Sequence, residues 1–351
     1  MKTFAIQVCP SLAACALALP AVAQSCLGDV AIDGRIDGGD LGVMLANWGP
    51  VTSTALSRAC DLDGDTIVNG ADLGILLNGW GTCPRPTVPV WATLLEAMPD
   101  PNVVNDPALR SAIVATGLPW RVRDNQTQSE MLLVPPGSFW MGCVIPLDNS
   151  ECGLYSTAHR VTLTNPFYLA RYELTQSEWE ATLGLSSNPS VFRGMPDSPL
   201  RPVERVNWES VQAYLNATGT RLPTEAEWEF ACRAGVDAPL YSGATDEAGI
   251  DSLAWYRPNC NNQTHVGGGK AANGFGFFDM LGNVWELVND FIAPYSTGAL
   301  TNPTGPTAGY YRVIRGGDID IMPADNVTSF SRQGAAPPAV ILIGVRVARN
   351  P

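Results

Sequence analysis

Residues 29–48 and 61–80 repeat one another at an offset of 32, and each copy carries regularly spaced acids ahead of a short apolar run. In the second copy, Asp61, Asp63, Asp65, Asn69 and Asp72 fall at loop positions 1, 3, 5, 9 and 12, with the backbone carbonyl of Ile67 at position 7. Calcium takes six to eight hard oxygen ligands, and this spacing wraps a chain around one ion. The first copy has Asp29, Asp33, Asp37 and Asp40 at positions 1, 5, 9 and 12, but Ala31 at position 3, so its site should be weaker. An apolar stripe follows each loop on one predicted helical face: Leu41, Met44, Leu45 and Trp48, then Leu73, Leu76, Leu77 and Trp80. So short a segment buries little apolar surface, and bound metal would supply much of its folding free energy. The alternative is a pair of solvated acidic turns.

Paired loops of this kind, each followed by one short helix, resemble the type I dockerin module. The resemblance implies a small α-helical unit that folds on calcium and docks onto a cohesin-like protein partner. A capping domain without a partner is the other reading.

The N-terminus carries Lys2, then an apolar stretch including Leu12, Ala13, Ala14 and Leu17, then Ala21-Val22-Ala23 as a small-residue cleavage site. The stretch is too short to span a bilayer, and no later run is long enough, so no transmembrane segment is expected. Residues 1–23 read as a signal peptide, and the mature chain as secreted or displayed at the cell surface. Leu12-Ala13-Ala14-Cys15 also fits a lipoprotein signal, which leaves lipid attachment as an alternative. A net charge of −13 argues against nucleic acid or anionic membrane as partner and is compatible with cations. Of nine cysteines, loss of Cys9 and Cys15 with the leader leaves Cys26, Cys60, Cys83, Cys143, Cys152, Cys232 and Cys260. An exported chain can form disulfides, and Cys143 with Cys152 would close a short loop. The mature number is odd, so at least one thiol stays free or pairs between molecules. Cys232 lies in the helix-like run Glu227-Trp228-Glu229-Phe230-Ala231-Cys232 and reads as a buried, inert thiol.

The repeat module is assigned to residues 24–83. Residues 84–130 read as a connector, opening on Pro84-Arg85-Pro86-Thr87-Val88-Pro89 and continuing into a short helical lead-in. Asp106 as cap, Pro107 at the first helical position and Gly117 beyond the end bracket that helix. A larger domain occupies residues 131–351. Its clearest helix starts are Thr175-Gln176-Ser177-Glu178 and Thr224-Glu225-Ala226-Glu227, both of capping-box form.

Several motifs follow in order through that domain. Val134-Pro135-Pro136-Gly137-Ser138-Phe139-Trp140-Met141-Gly142 comes first, then Tyr172-Glu173-Leu174-Thr175-Gln176 and Arg201-Pro202-Val203-Glu204. Arg221-Leu222-Pro223-Thr224-Glu225-Ala226-Glu227-Trp228-Glu229 and Asp279-Met280-Leu281-Gly282-Asn283-Val284-Trp285-Glu286 come next. Arg312-Val313-Ile314-Arg315-Gly316-Gly317 and Gly344-Val345-Arg346-Val347-Ala348-Arg349 close the series. In this order they resemble the formylglycine-generating enzyme, or sulfatase-modifying-factor, family. The resemblance implies an α+β fold of C-type-lectin-like kind with little regular structure. It also implies a calcium site at the Asp279 side chain, the Gly282 and Val284 carbonyls and the Glu286 carboxylate; otherwise Asp279 and Glu286 only hydrogen-bond the turn. The short Trp255-to-Gly269 stretch does not supply the family's second calcium site.

Oxidases of this family convert a sulfatase cysteine to formylglycine with oxygen and copper held by two thiolates. By alignment from Arg315 those thiols would fall near Ile321 and Asn326, and the stretch from Asp318 to Asn326 contains no cysteine. Soft thiolates select cuprous copper, so hard oxygen ligands do not replace them. Copper is therefore not expected. Iron-dependent relatives of the wider fold use histidines of an extra helical domain; only His159 and His265 are present, and both read as structural. What remains is a pocket candidate at Trp285, Arg315, Asp318 and Asp320 that could take a basic peptide or a carbohydrate. Its alternative is a loop capped by Asp318 and Asp320 with Arg315 in a structural ion pair. The sequence thus points to an exported calcium-binding protein with a ligand-binding or scaffolding role, the alternative being an oxidase with atypical site residues.

Overall fold

The computed structural model describes residues 28–31, 35–82, 86–143, 157–236, 247–321, 327–335 and 342–351. Residues 1–27 with Cys26, and Asp33, Cys83, Cys152 and Asn326, lie outside the described residues, and with Cys152 the expected loop to Cys143.

The acidic repeats fold as related copies. β1 (Arg35–Ile36), α1 (Gly38–Ala46), β2 (Gly49–Pro50) and α2 (Ala55–Cys60) precede β3 (Ile67–Val68), α3 (Gly70–Asn78) and β4 (Gly81–Thr82). Each copy's entry strand pairs with the other copy's exit strand, β1 with β4 and β3 with β2, both antiparallel. Asp37 and Asn69 cap α1 and α3, and Asp40 and Asp72 reach back to the cap backbones at 2.8 Å. Met44 and Leu76 fill a small core with Ile36, Cys60, Leu62 and Val68. The apolar stripes are narrower than their sequence pattern. The helices end at Ala46 and Asn78, before either tryptophan, and Leu45, Trp48, Leu77 and Trp80 remain 48–54% exposed.

The connector contains more than the expected helix. β5 (Ala92–Glu96) and β6 (Arg121–Asp124) flank α4 (Pro107–Ala115) and form the edge of a sheet belonging to the large domain. α4 itself starts as read, with Asp106 Oδ1 accepting from the Ala108 amide at 2.8 Å. The repeat module packs on this helix. Arg110 donates to the carbonyls of Arg58 (3.2 Å) and Asp61 (3.0 Å). Gly64, at φ +83°, approaches Pro107 so closely that a Cβ there would lie 2.7 Å from the ring.

The chain continues through β7 (Glu130–Val134), β8 (Gly137–Met141), β9 (His159–Leu163), β10 (Phe167–Ala170), α5 (Gln176–Leu183) and α6 (Trp208–Thr218). It then forms α7 (Glu225–Arg233), α8 (Glu247–Leu253), β11 (Trp285–Phe291), β12 (Leu300–Thr301), β13 (Arg312–Arg315), β14 (Arg332–Ala335), β15 (Ile343–Val345) and β16 (Ala348–Arg349). Three sheets result, ordered β16-β10-β7-β6-β5, β14-β13-β11-β15 and β12-β9-β8. Both capping boxes form, with Thr175 and Thr224 accepting from the amides of Glu178 and Glu227. One large core runs beneath the sheets, with Trp120, Trp179, Trp228, Phe275 and Phe277 almost wholly enclosed.

Between these short elements lie long irregular segments, and buried arginines collect their carbonyls. Arg346, between β15 and β16, donates to both Glu286 oxygens, to Ala170 O at 3.0 Å and to Phe278 O at 2.8 Å. Trp228 Nε1 donates to the same Glu286 carboxylate at 2.6 Å. An ion pair this deep is held by its completeness, and removing one partner leaves the other charge uncompensated. Arg346→Met should therefore lower unfolding free energy by about 3–5 kcal/mol in urea titrations, whereas Arg123→Met, whose Glu130 partner is partly exposed, should cost below about 1 kcal/mol.

Candidate functional site

At the loop after β13, glycine is required by geometry: Gly316 and Gly317 have φ of +92° and +86°. The double turn sends Asp318 inward. Its Oδ1 accepts from the Asp320 amide at 2.9 Å, and its carbonyl accepts from the Ile321 amide. Ile319 is buried, and its carbonyl accepts from the Cys260 thiol at 3.3 Å. Burial, then the Asp320 carboxylate, pushes the Asp318 carboxyl up to about 6.

The four residues read as a pocket differ in their exposure. Trp285 is 3% exposed and sits in the core. Arg315 is fully buried, paired with Glu229, and donates to the carbonyls of Ser329, Phe330 and Ser331. Asp320 is exposed. Asp318 thus caps the loop and Arg315 lies in a buried ion pair, whereas the Asp320 carboxylate caps nothing among the described residues. Both histidines pack on aromatic rings. His265 stacks on Trp255 at 3.8 Å and contacts Cys260 O at 2.8 Å, while His159 packs against Tyr295. Cys60, Cys232 and Cys260 are free and buried, and burial pushes the Cys232 thiol up to about 12.

The second acidic loop brings Asp61, Asp63, Asp65 and Asp72 together, with one ligand atom of each within 4.8 Å of the others. Asp72 holds the loop closed through the amides of Leu62 and Asn69 at 2.6 and 2.8 Å. Asn69 donates to Asp65 Oδ2 and to the Ile67 carbonyl, so the side chains at positions 5 and 9 already face the position-7 oxygen. In the first loop Asp29 and Asp40 are buried, Asp37 is half-buried at the cap, and Asp33 lies outside the described residues.

In the large domain the turn at Asp279 is tight. Asp279, Gly282 and Asn283 have φ of +54°, +79° and +62°, and a Cβ on Gly282 would lie 2.3 Å from Trp255 O. Asp279 Oδ2 accepts from the Gly268 amide at 2.7 Å, but the buried Oδ1 has no partner among the described residues. Burial pushes this carboxyl up to about 6. That orphaned oxygen fits a cation. Glu286 fits less well as a ligand, since Arg346 and Trp228 engage both of its oxygens. Sequence reasoning missed Glu173, which accepts from Asn283 Nδ2 and the Val284 amide. Burial, then Asp279 and Glu286, hold Glu173 well above the usual carboxylate range. Its signal was an acid placed between the apolar end of β10 and the Thr175 cap.

The three sheets, the sparse helices and the buried carboxylate turn define a mixed α+β domain of C-type-lectin-like fold. Residues 120–351 match the Sulfatase-modifying factor enzyme 1-like domain, and the chain belongs to that family. It is 26% identical over 256 residues to the formylglycine-generating enzyme of Mus musculus, covering 54% of this chain and 66% of that protein. It is 34% identical over 132 residues to the formylglycine-generating enzyme of Streptomyces coelicolor, covering 34% and 42%. The chain thus spans less than two thirds of either enzyme. It is also 32% identical over 207 residues to a protein of Paenibacillus barcinonensis named chaperone protein LppX, covering 41% and 70%. Among solved structures, PvdO from Pseudomonas aeruginosa superimposes with a TM-score of 0.54 at 29% identity, over 66% of this chain and 98% of that one. The Treponema denticola variable protein 1 gives 0.57 at 28%, over 64% and 95%.

A carboxyl whose folded pKa is raised costs stability as pH climbs from its unfolded value to its folded one. For Asp318 that window runs from about 4 to about 6. Asp318→Asn keeps an acceptor for the Asp320 amide and removes the charge. It should be near neutral at pH 4 and stabilise the protein by on the order of 2 kcal/mol at pH 8, measured by chemical denaturation.

Proposed function

We propose that this chain is an exported, calcium-binding, two-module protein whose large domain recognises or scaffolds another molecule and does not oxidise sulfatase cysteines. One observation carries the reading: no cysteine stands between Asp318 and Asn326, where the copper thiolates of the oxidases belong. Cys260 is the described thiol that reaches this loop, and it is one sulfur, buried and hydrogen-bonded to a carbonyl. A lone thiol cannot offer cuprous copper the paired soft donors it selects. A protein that this chain resembles bears a chaperone's name, which supports a role outside oxidation. The oxidase reading rests on the names of the other relatives and on the family's shared frame.

Incubation of the purified protein with copper, oxygen and a sulfatase-motif peptide should leave the peptide mass unchanged. Conversion of the peptide cysteine to an aldehyde would sink the proposal.

The calcium reading is supported by the converging carboxylates of the second loop and by the orphaned Asp279 oxygen. When bound, calcium would supply positive charge to the two acidic loops and to the Asp279 turn. Asp61, Asp63, Asp65, Asp72 and the Ile67 carbonyl would hold one ion. Asp279 with the Gly282 and Val284 carbonyls would hold another, with Glu173 facing the same turn. Titration calorimetry should register calcium uptake whose larger part disappears in the double variant Asp61→Ala/Asp72→Ala and whose remainder falls in Asp279→Ala. Wild-type uptake that both variants retain would refute the ligand assignment. The repeat-related Leu45/Trp48 and Leu77/Trp80 pairs, left half exposed, are the surface we assign to a cohesin-like partner.

A further inference from the structure

A cavity of about 340 Å³ opens at the far end of β11 from Trp285, lined by residues of β9, α7, β11, the 293–306 segment and β14. At roughly 3.3 Å per residue, Asp290 lies about 16 Å along the strand from Trp285, so this space is separate from the Gly316–Ile321 loop. Its walls are apolar: Met141, Phe291, Pro294, Leu300, Pro303 and Pro306. Among the described residues its polar side chains are His159, Glu225, Asp290, Tyr295, Ser296, Thr304 and Arg332, and the charged ones are mostly committed. Both Glu225 oxygens take Arg332 at 2.7 Å, and Tyr295 donates to Oε1 at 2.9 Å. Arg332 also donates to the Ala293 carbonyl at 2.7 Å.

Asp290 is the exception. It is 4% exposed, its Oδ2 accepts from the Glu225 amide at 2.9 Å, and its Oδ1 has no hydrogen-bond partner among the described residues. The nearby Arg312 is held elsewhere, sandwiched between the rings of Trp208 and Phe291 and donating to Asn289 O. A carboxyl this buried, with Arg312 and Arg332 close enough to be felt but neither paired with it, is costly to ionise. Burial and the neighbouring Glu225 accordingly push it up to about 7.

We propose that this cavity binds a small organic cation, an ammonium or guanidinium on an aliphatic stem. Asp290 Oδ1 accepts the cation's N–H, and the stem lies against Phe291, Pro294 and Leu300. A carboxylate ligand would meet Asp290 and Glu225 with no free guanidinium to receive it. A calcium ion would find one free side-chain oxygen where it needs six or more ligands. The site is independent of the copper and calcium readings above and stands or falls without them.

The test uses the full chain and titration calorimetry with n-butylammonium, n-butanol and butyrate. n-Butylammonium should bind, n-butanol at least about tenfold more weakly, and butyrate not measurably. Asp290→Asn keeps an acceptor for the Glu225 amide and should weaken the ammonium at least about tenfold. Ala293→Leu, which narrows the cavity without touching the carboxyl, should weaken it too, and thermal melts establish that both variants fold. Binding of N-acetyl-lysine methylamide would assign the natural ligand to a peptide side chain; binding of the free amine alone would assign it to a small-molecule amine. No binding of either cation, equal binding of n-butanol, or undiminished binding by a folded Asp290→Asn overturns the proposal.

Discussion

The large domain depends on guanidinium groups buried in its interior. Arg346 joins β10, the Phe278 turn and β11 through a single side chain, and Arg315 ties β13 to α7 and to the carbonyls of residues 329–331. Arg233 does the same for Gly142, donating to its carbonyl at 2.7 Å while Glu229 accepts from the Gly142 amide at 2.8 Å. A domain with short strands leaves many backbone groups outside ladders, and a planar five-donor fork is well suited to satisfying them. The carboxylates Glu286 and Glu229 then neutralise what the fold has enclosed.

This constraint explains how the frame around the Gly316–Gly317 turn is held with no cysteine between Asp318 and Asn326. The double glycine after β13 is shaped by φ above +80° at both residues, and Arg315 just before it is locked by Glu229 and three carbonyls. None of these contacts requires a cysteine. Asp318 closes the loop onto its own backbone, and Ile319 seals it against Cys260. The described frame therefore has its own support.

Much of this was legible in the sequence because it rests on local rules. The capping boxes at Thr175 and Thr224, the Asp106–Pro107 start and the in-phase loops all depend on residues a few positions apart. The strands β5 and β6 were not legible, since each is four or five residues long and gains its place only from pairing with β7 and with each other. The Trp48 and Trp80 positions followed the helical period, but the helices stop short of both. Arg315 and Trp285 were legible as neighbours of the site, but their burial was not. Enclosure depends on segments far away, such as the carbonyls 14–16 residues beyond Arg315 that complete its shell. Glu173 was passed over for the same reason: its partners Asn283 and Val284 lie 110 and 111 residues away.

The central claim is that a thiol pair is missing and nothing replaces it. The direct measurement is a competition titration for cuprous ion against a coloured chelator under anaerobic conditions, followed by X-ray absorption on any copper retained. The chelator should keep the metal, with no two-sulfur copper centre in the spectrum. Stoichiometric cuprous binding with two sulfur ligands would contradict the claim and return the chain to the oxidases.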